Sequence, residues 1–435
     1  MAERNAEELA RDDQDSTPGK IRYPRAVFLI IVNEFCERFS FYALRTVLVL
    51  FLKDKLFLTE DDATIVFHAF NMTCYLFPIV GGIISDSWLG KFRTILYLSL
   101  LYAVGNVVVA LASWRALGLP GLPVTCAGLL LIAMGTGGIK PCVSSFGGDQ
   151  FTLPQQRRQL EQFFSVFYFI INAGGTLAIL ATPEVRALPC LGEDTCYPLA
   201  FGMPALLMVF FCGVFVAGKR LYVTKDLEGN ILVQVSKCIA SGLWRRFRRG
   251  APREAGEAKD AHWLDAVAPR YGEALVADVK VLLRLLVLAV PLPVFWALFD
   301  MQGSRWTFQA RQLDGAVGGW RLQPDQMQLS GGLLVLLLLP CFEAWLHPFL
   351  ARWRVLATPL QRMSVGGLMA AAAFLCAAVL QLNVDRQADA AGSFGQVHIL
   401  WQLPQYLFIA LADIWFAIAV LEFGYKEVYT YSTEN

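Results

Sequence analysis

The sequence predicts an all-α protein that crosses a membrane many times. Of its 435 residues, 56% are hydrophobic and 17% are charged, and the mean hydropathy of +0.48 is too high for a soluble chain of this length. Apolar windows of about 20 residues, long enough to span a bilayer as a helix, recur along the chain. They lie at residues 26–52, 64–85, 94–114, 122–146, 162–183, 198–219, 281–300, 327–350, 361–383 and 402–424. We therefore expect a polytopic membrane protein with about ten transmembrane helices.

Composition and motifs argue against several other classes of protein. The net charge of +1 does not favour a nucleic-acid partner. The chain contains no H-E-x-x-H, G-x-S-x-G or phosphate-binding glycine loop, so we expect no enzymatic activity. Cys and His show no metal-ligand spacing, and neither a metal nor a cofactor is expected. Residues 1–15 are polar and acidic, so the first membrane helix itself is expected to direct insertion.

Basic residues alternate between successive loops and predict the orientation in the membrane. The short loops at residues 91–93, 157–158 and 352–354 are rich in Lys and Arg, whereas the intervening loops are poorer. The basic loops and the N-terminus are therefore expected in the cytoplasm. Cys190 and Cys196 then lie outside, where a disulfide and a pair of free thiols both remain open.

The distribution of polar residues divides the chain into five parts. We expect a cytoplasmic tail at residues 1–25, a six-helix bundle at 26–219, a cytoplasmic linker with amphipathic helices at 220–280, an incomplete bundle of four helices at 281–424 and a divergent tail at 425–435. The linker carries a basic run from residue 245 to 249. Its helices lie either on the anionic leaflet or in solvent, and both interpretations stay open.

The first apolar window contains four charged side chains that lipid would not accept. Glu34, Glu37, Arg38 and Arg45 would each cost roughly 2.5 to 3.5 kcal/mol at the centre of a membrane helix. Together with Tyr42 they follow the i, i+3, i+4 spacing, which places them on one face of the helix. We therefore expect this stripe to line a cavity or to pair with other helices, as is typical of a transport pathway.

Several motifs resemble the proton-coupled oligopeptide transporter family of the major facilitator superfamily. Residues 33–42 (NEFCERFSFY) resemble the family's helix 1 signature E-x-x-E-R-F-x-Y-Y, and residues 82–91 resemble the superfamily's loop between helices 2 and 3. The likeness is greatest to the animal intestinal and renal di- and tripeptide transporters, and we expect it to end after residue 423. It implies the major facilitator fold with about ten of the usual twelve helices, without the large extracellular domain. Further matching blocks lie at residues 135–143, 146–151, 163–168, 171–174, 291–300, 302–306 and 323–327.

The resemblance also implies which residues couple transport to protons. It assigns this role to Glu34, Glu37, Arg38, His68 and Lys140. Lys140 follows a glycine-rich apolar run, and a buried ammonium needs an anionic partner, for which Glu34 or Glu37 is the candidate. A static structural salt bridge is the alternative interpretation of this set.

A peptide carries a carboxylate and an ammonium separated by at most about 3.6 Å per residue, so one site can contact both ends of a short peptide. The resemblance implies that Arg45 and Lys140 bind the carboxylate, that Glu422 binds the ammonium and that Asn172 binds the backbone. Arg284 and Glu343 match a gating ion pair, with Glu where the animal members have Asp. The aromatic residues expected to contact peptide side chains, for which ordinary helix packing is the alternative, are Tyr42, Tyr75, Tyr168, Phe295 and Trp296.

The function implied is a symporter in the plasma membrane that imports di- and tripeptides with protons by alternating access. Its expected partners are peptides and peptide-like small molecules, protons as the coupling ion, and the lipid bilayer. A related proton symporter for nitrate or histidine is one alternative. A truncated, non-transporting form that acts as a partner of a full-length transporter is another.

Overall fold

A computed structural model describes the backbone of residues 23–225, 231–248, 262–288, 290–346, 349, 356 and 358–434. Side chains are described for the same residues except 231, 248, 287, 288, 343, 345, 359, 389–391, 418 and 421–434. Within this part of the chain, each of the predicted membrane windows contains helix.

The first bundle consists of six helices that account for the first six predicted windows. Helix α1 packs between α5 and α6, and α3 lies along α4. Large apolar side chains fill the centre, including Phe51, which contacts the rings of Tyr197 and Phe201. The helices are α1 (Ala26–Asp54), α2 (Glu60–Ile84), α3 (Lys91–Ala112), α4 (Gly121–Gly148), α5 (Arg157–Ala187) and α6 (Tyr197–Ala217).

Local chemistry sets the ends of α2. The Thr59 hydroxyl accepts a hydrogen bond from the Asp62 backbone amide at 3.1 Å, which caps the first turn. At the other end Gly90 has φ of +75°, a conformation that side chains other than glycine rarely adopt. This turn leads into Lys91, which pairs with Asp149 at the end of α4. This ion pair therefore links the start of α3 to the end of α4.

The described part of the connector between the bundles contains three α-helices. They are α7 (Ile231–Arg248), α8 (Ala268–Tyr271) and α9 (Glu273–Leu288). Cys238 of α7 is buried with Val276 and Val279 of α9 in a small core. His262 accepts a hydrogen bond from the Leu264 amide at 3.3 Å, and burial, followed by the nearby Lys280 ammonium, lowers the pKa of its ring.

The second bundle, residues 292–434, begins with two short helices, and the seventh predicted membrane window does not form one continuous helix. The window at residues 281–300 is divided between α9 and α10 (Leu292–Phe299), and α11 (Arg305–Arg311) follows after a tight turn. Pro291 and Pro293 explain the break, because proline lacks an amide donor and disrupts the interior of a helix.

Three helices longer than α10 and α11 follow in the described part of the second bundle. They are α12 (Gln328–Cys341), α13 (Pro359–Ala391) and α14 (Leu403–Glu434), and α13 lies along α14. A β-hairpin with two residues in each strand, β1 (Ala316–Val317) and β2 (Trp320–Arg321), precedes α12. Residues 425–434, expected to form a divergent tail, continue α14, because nothing after Gly424 in this stretch breaks a helix.

Seven of the described helical segments are long and apolar enough to cross a membrane. They belong to α2 through α6, α13 and α14. Helix α1 has sufficient length but is not among the seven, because Glu34, Glu37, Arg38 and Arg45 interrupt its apolar character. Among the six helices of the first bundle, α1 is therefore the one whose charged residues set it apart from an ordinary membrane span.

Candidate functional site

The charged stripe of α1 is buried and internally paired. Glu34, Glu37 and Arg38 are 5%, 1% and 8% exposed. The Arg38 Nε atom lies 3.2 Å from Glu34 Oε1, and the same guanidinium pairs with Glu37. One cation is therefore shared by two carboxylates, which leaves the cluster one unit negative when both are ionised. A cluster of this kind accepts a proton without creating an isolated buried charge.

Thr136 of α4 supplies a further contact to this cluster. Its hydroxyl donates a hydrogen bond to Glu37 Oε1, and its side chain is fully buried. Close packing of α4 against α2 makes this position possible: a Cβ atom on Gly81 would lie only 2.4 Å from the Gly138 Cα atom. The glycine-rich run before Lys140 thus serves to bring three helices together around Glu37.

Lys140 does not form the predicted ion pair. Its ammonium lies 4.5 Å from the centre of the Tyr75 ring and 4.9 Å from that of Phe41. No ion pair between Lys140 and either Glu34 or Glu37 occurs within the described residues. Arg38 lies next to Glu37 in the sequence and one helical turn after Glu34. Its guanidinium therefore pairs with both carboxylates in place of a cation from another helix.

Arg45 lies about two to three helical turns beyond the members of the cluster and joins the two bundles. Its Nη2 atom is 2.5 Å from Asp300 Oδ1, in the turn between α10 and α11. Both side chains are largely buried, at 16% and 14% exposure. The cation predicted to hold a substrate carboxylate is therefore occupied by a protein carboxylate in this conformation.

His68 of α2 also contacts the second bundle. Its Nε2 atom lies 3.1 Å from the Ser304 hydroxyl, and which group donates depends on the ring tautomer. Gly303 packs beside this contact, since a Cβ atom there would meet the Phe67 ring at 2.6 Å. The predicted proton-binding histidine thus lies at the interface between the bundles.

Three more ion pairs join the bundles at the end predicted to face outward. Arg186 makes two bonds of 3.1 Å to Asp325, whose side chain is fully buried. The other two pairs, Arg305 with Asp61 and Arg311 with Asp54, are more exposed. Every polar contact described between the bundles lies at or above the level of Arg45, so this conformation is closed on the predicted outer side.

The predicted substrate-binding residues fall into two groups. Tyr75 and Tyr168 are 62% and 65% exposed, and Asn172 donates a hydrogen bond to the Tyr168 carbonyl at 2.8 Å. Tyr42 is partly buried against Gly175 of α5, where a Cβ atom would be 2.9 Å from the ring. These four residues belong to the first bundle, and of their side chains Tyr42 packs against the apolar core that contains Phe51.

On the second bundle Phe295 is buried in this conformation, and its contact with substrate stays a prediction. Its ring stacks on Phe416 of α14 with centres 3.8 Å apart, and the residue is 4% exposed. The neighbouring Trp296 is 43% exposed. One helix face cannot present both rings, because adjacent residues point about 100° apart.

Several predicted residues cannot be placed. Glu422 lies in α14 and Glu343 in the helical turn Phe342–Leu346, but both side chains lie outside the described residues, as does the basic loop at 352–354. Arg284 of α9 is exposed. The gating pair of Arg284 with Glu343 and the binding of an ammonium by Glu422 therefore stay predictions.

The two outer cysteines, Cys190 and Cys196, form a disulfide. The loop that it closes contains Glu193, which pairs with Lys55 at the end of α1. The Cys196 amide donates to the Arg186 carbonyl at 2.8 Å. The disulfide loop thus lies beside the Arg186 and Asp325 pair.

Sequence reasoning missed four residues of the site. Asp300, Ser304 and Asp325 lie in matching blocks of the sequence, but their partners are more than a hundred residues away. Thr136 gave no functional signal in the sequence because hydroxyl side chains are common in membrane helices. Asp300 could have been found by the same reasoning as Glu37, since it is a charge at the end of an apolar window.

Two helical bundles, the first with a buried charged cluster on α1, define a polytopic membrane protein of the major facilitator fold. Residues 92–433 match the POT family (PTR2), and the chain belongs to this family. The match extends beyond residue 423, so the expected end of the likeness there is wrong.

Two relatives support membership of this family. The chain is 49% identical over 380 residues to "Peptide transporter family 1" of Drosophila melanogaster, covering 87% of this chain and 50% of that protein. It is 45% identical over 390 residues to "Solute carrier family 15 member 1" of Oryctolagus cuniculus, covering 87% and 55%. The chain therefore spans about half the length of these relatives.

Solved structures confirm the predicted fold. The POT family transporter PepTSo is similar with a TM-score of 0.72 and 29% identity, over 93% of this chain and 84% of that chain. An auto-inhibited POT family peptide transporter is similar with a TM-score of 0.73 and 29% identity, over 92% and 83%. The all-α major facilitator fold is thus shown for this chain.

Proposed function

We propose that this chain carries out proton-coupled symport of di- and tripeptides, and of peptide-like small molecules, by alternating access. We also propose the plasma membrane as its location, with the N-terminus and the connector at residues 220–280 in the cytoplasm. The relatives named as peptide transporters support the substrate class. The observation that carries the proposal is the buried cluster of Glu34, Glu37 and Arg38, which lies on the same face of α1 as the Arg45 and Asp300 pair.

Charge exchange between partners explains how proton binding would move the bundles. Arg45 holds Asp300 in the outward-closed state, and opening outward requires that this pair and the outer pairs separate. A peptide carboxylate offers Arg45 a replacement partner, so the guanidinium is not left uncompensated in a partly buried place. A proton on Glu37 removes one of the two negative charges that hold Arg38, which frees that cation for the same purpose.

The distance between the charged poles limits the cargo to short peptides. A site that binds the carboxylate at Arg45 and Lys140 and the ammonium at Glu422 fixes both ends of the peptide. Since a chain extends by at most about 3.6 Å per residue, a longer peptide cannot fit between the same poles. The exposed Tyr75 and Tyr168 offer apolar faces that accept many side chains.

The membrane potential is sufficient to drive this cycle. Each proton that moves down about 100 mV contributes roughly 2.3 kcal/mol. That free energy supports a peptide gradient of some fifty-fold for each coupled charge. No additional source of energy is needed for accumulation.

Uptake of a labelled dipeptide into proteoliposomes containing this chain tests the proposal. We expect uptake to rise as the outer solution is acidified from about pH 7.5 to about pH 5.5, and to be lost in Glu37→Gln. Glu161→Gln is the matched control, because Glu161 is 67% exposed on α5 and, among the described residues, pairs with Arg157 of the preceding turn.

Competition distinguishes the substrate classes. Unlabelled dipeptides should suppress uptake, whereas nitrate and free histidine should not. Uptake that is equal at both pH values, or that nitrate or histidine suppresses and dipeptides do not, would contradict the proposal.

A further inference from the structure

Helix α7 of the connector has two apolar faces, and the small core described above uses only one of them. Cys238 is fully buried on that face, and a Cβ atom on Gly242 would meet the Trp263 ring at 2.5 Å. Two polar contacts fix this arrangement: Ser241 lies 2.9 Å from the Tyr271 hydroxyl, and Arg245 donates to the Ala266 carbonyl. The orientation of α7 about its own axis is therefore determined.

The opposite face of α7 is apolar and open. Leu243 is 40% exposed and Phe247 is 83% exposed, and Ala240 lies exposed one turn before Leu243. The spacing of 240, 243 and 247 places all three on one side of the helix, which Leu232, 42% exposed, extends at the other end. An exposed phenylalanine beside a leucine, in a helix of this amphipathic character, indicates a surface that contacts something apolar.

Cations border this apolar face. Lys237 lies on one side of it and Arg246 on the other, and both are exposed. Neither forms an ion pair with an acidic side chain among the residues that the structure describes. An apolar sector with a cation on either side is the pattern of a helix that lies in a membrane interface, where the cations meet anionic headgroups.

The length of the chain keeps α7 near the membrane. Residues 222–230, nine in number, separate the last turn of α6 from α7, so they extend to at most about 32 Å. From the other side α9, which leads toward the second bundle, packs directly on α7 through Val279. Both attachments therefore hold α7 within reach of the leaflet from which α6 and α9 emerge.

We propose that the face of α7 formed by Leu232, Ala240, Leu243 and Phe247 docks on the headgroup region of an anionic leaflet. Lys237 and Arg246 bind the lipid phosphates or carboxylates on either side. Placement of this leaflet in the cytoplasm rests on the proposed orientation, but the docking itself does not depend on transport.

Site-specific photo-crosslinking tests the docking in the full chain reconstituted in nanodiscs. A benzophenone amino acid replaces Phe247 in one variant and Gln234 in the control, since Gln234 is exposed but lies outside the apolar face formed by Leu232, Ala240, Leu243 and Phe247. In discs of phosphatidylcholine with phosphatidylserine, we expect lipid adducts at position 247 to exceed those at position 234 by about fivefold or more. The benzophenone preserves the aromatic character, so folding is not at risk.

Neutralisation of the cations tests the electrostatic part. Lys237→Gln with Arg246→Gln should reduce the adducts at position 247 in anionic discs by about fivefold or more, and leave those in pure phosphatidylcholine unchanged. Equal adducts at positions 247 and 234 would overturn the proposal. So would adducts to a second copy of the chain in place of lipid, or adducts that do not respond to phosphatidylserine. Each readout is independent of peptide uptake, so failure of the transport proposal would not affect it.

Discussion

Arg45 and Asp300 are 255 residues apart in the chain, yet their side chains approach to 2.5 Å and join the two bundles. The pair lies between the buried α1 cluster and the outer ion pairs. It is thus the innermost contact that must separate before the outer side opens. In this conformation the Arg45 guanidinium is paired with Asp300, so a substrate carboxylate would have to displace or share that partner.

Removing the carboxylate of this pair should favour opening on the outer side. Asp300→Asn leaves the Arg45 guanidinium without a counter-charge, and because both groups are about 15% exposed we expect a loss of about 1 to 3 kcal/mol for the closed conformation. Labelling of cysteines introduced at the outer ends of α1 and α11 would report it. Asp194→Asn, in an exposed outer loop, serves as the control and should leave labelling unchanged.

The contact between Arg186 and Asp325 should require a guanidinium and not merely a positive charge. Lysine cannot make the two parallel bonds that Arg186 makes, so Arg186→Lys should weaken the outer contact by about 1 to 3 kcal/mol. A lower midpoint of thermal unfolding, together with faster labelling at the outer end, would show this. Arg305→Lys is the comparison, since the Arg305 pair is exposed and should tolerate the change.

Thr136 should influence the pH dependence of uptake. Thr136→Val removes the hydroxyl that donates a hydrogen bond to Glu37 Oε1, so the pH profile of uptake should differ from that of the unaltered protein. Thr136→Ser keeps the hydroxyl and should retain the original profile. A profile that is unchanged in the valine variant would show that this hydrogen bond has no part in coupling.

Adjacent glycines in α2 offer a stringent test of helix packing. Gly81→Ala places a Cβ atom 2.4 Å from backbone atoms of Gly138, whereas Gly82→Ala meets nothing within 4 Å. We expect the first change to destabilise the protein by about 1 to 3 kcal/mol and the second to be neutral or slightly stabilising. Thermal unfolding in detergent compares them directly, and equal stability of the two variants would be inconsistent with this crossing of α2 and α4.

Acid should loosen the connector through His262. The folded state lowers the pKa of this ring, so its contribution to stability is present above the ordinary value of about 6.5 and is lost as the pH falls through that value toward the folded one. Protonation also ends the ring's role as acceptor for the Leu264 amide. Hydrogen exchange of residues 262–271, corrected for intrinsic rates, should therefore accelerate at mildly acid pH, and should respond less in His262→Asn.

The sequence predicted the positions of the helices well because hydropathy is a local property. Where it was wrong, a local signal was overlooked: Pro291 and Pro293 divide the predicted seventh helix, and the lack of a breaking residue carries α14 through to Glu434. The predicted end of the family resemblance at residue 423 was also too early, since residues 424–433 still match the family.

Within the site, sequence reasoning identified charges but not their partners. It placed Glu34, Glu37 and Arg38 on one face of α1, where neighbours three or four positions apart meet. It assigned Lys140 a carboxylate partner, and the structure gives it two aromatic rings instead. The difference arises because contacts between helices depend on their crossing and rotation, which spacing along one helix does not specify.

The sequence alone determined that this chain is a polytopic helical protein of the POT family with a charged stripe on its first membrane helix. A charge in an apolar window must be buried within the protein, and the i, i+3, i+4 rule sets its face, so no tertiary information is needed. Only the tertiary structure decided that Arg45 holds Asp300, that His68 contacts Ser304 and that Phe295 packs on Phe416. These pairings depend on how two bundles meet, and the physical reason is that side-chain contacts extend only a few ångströms while the chain positions they join are far apart.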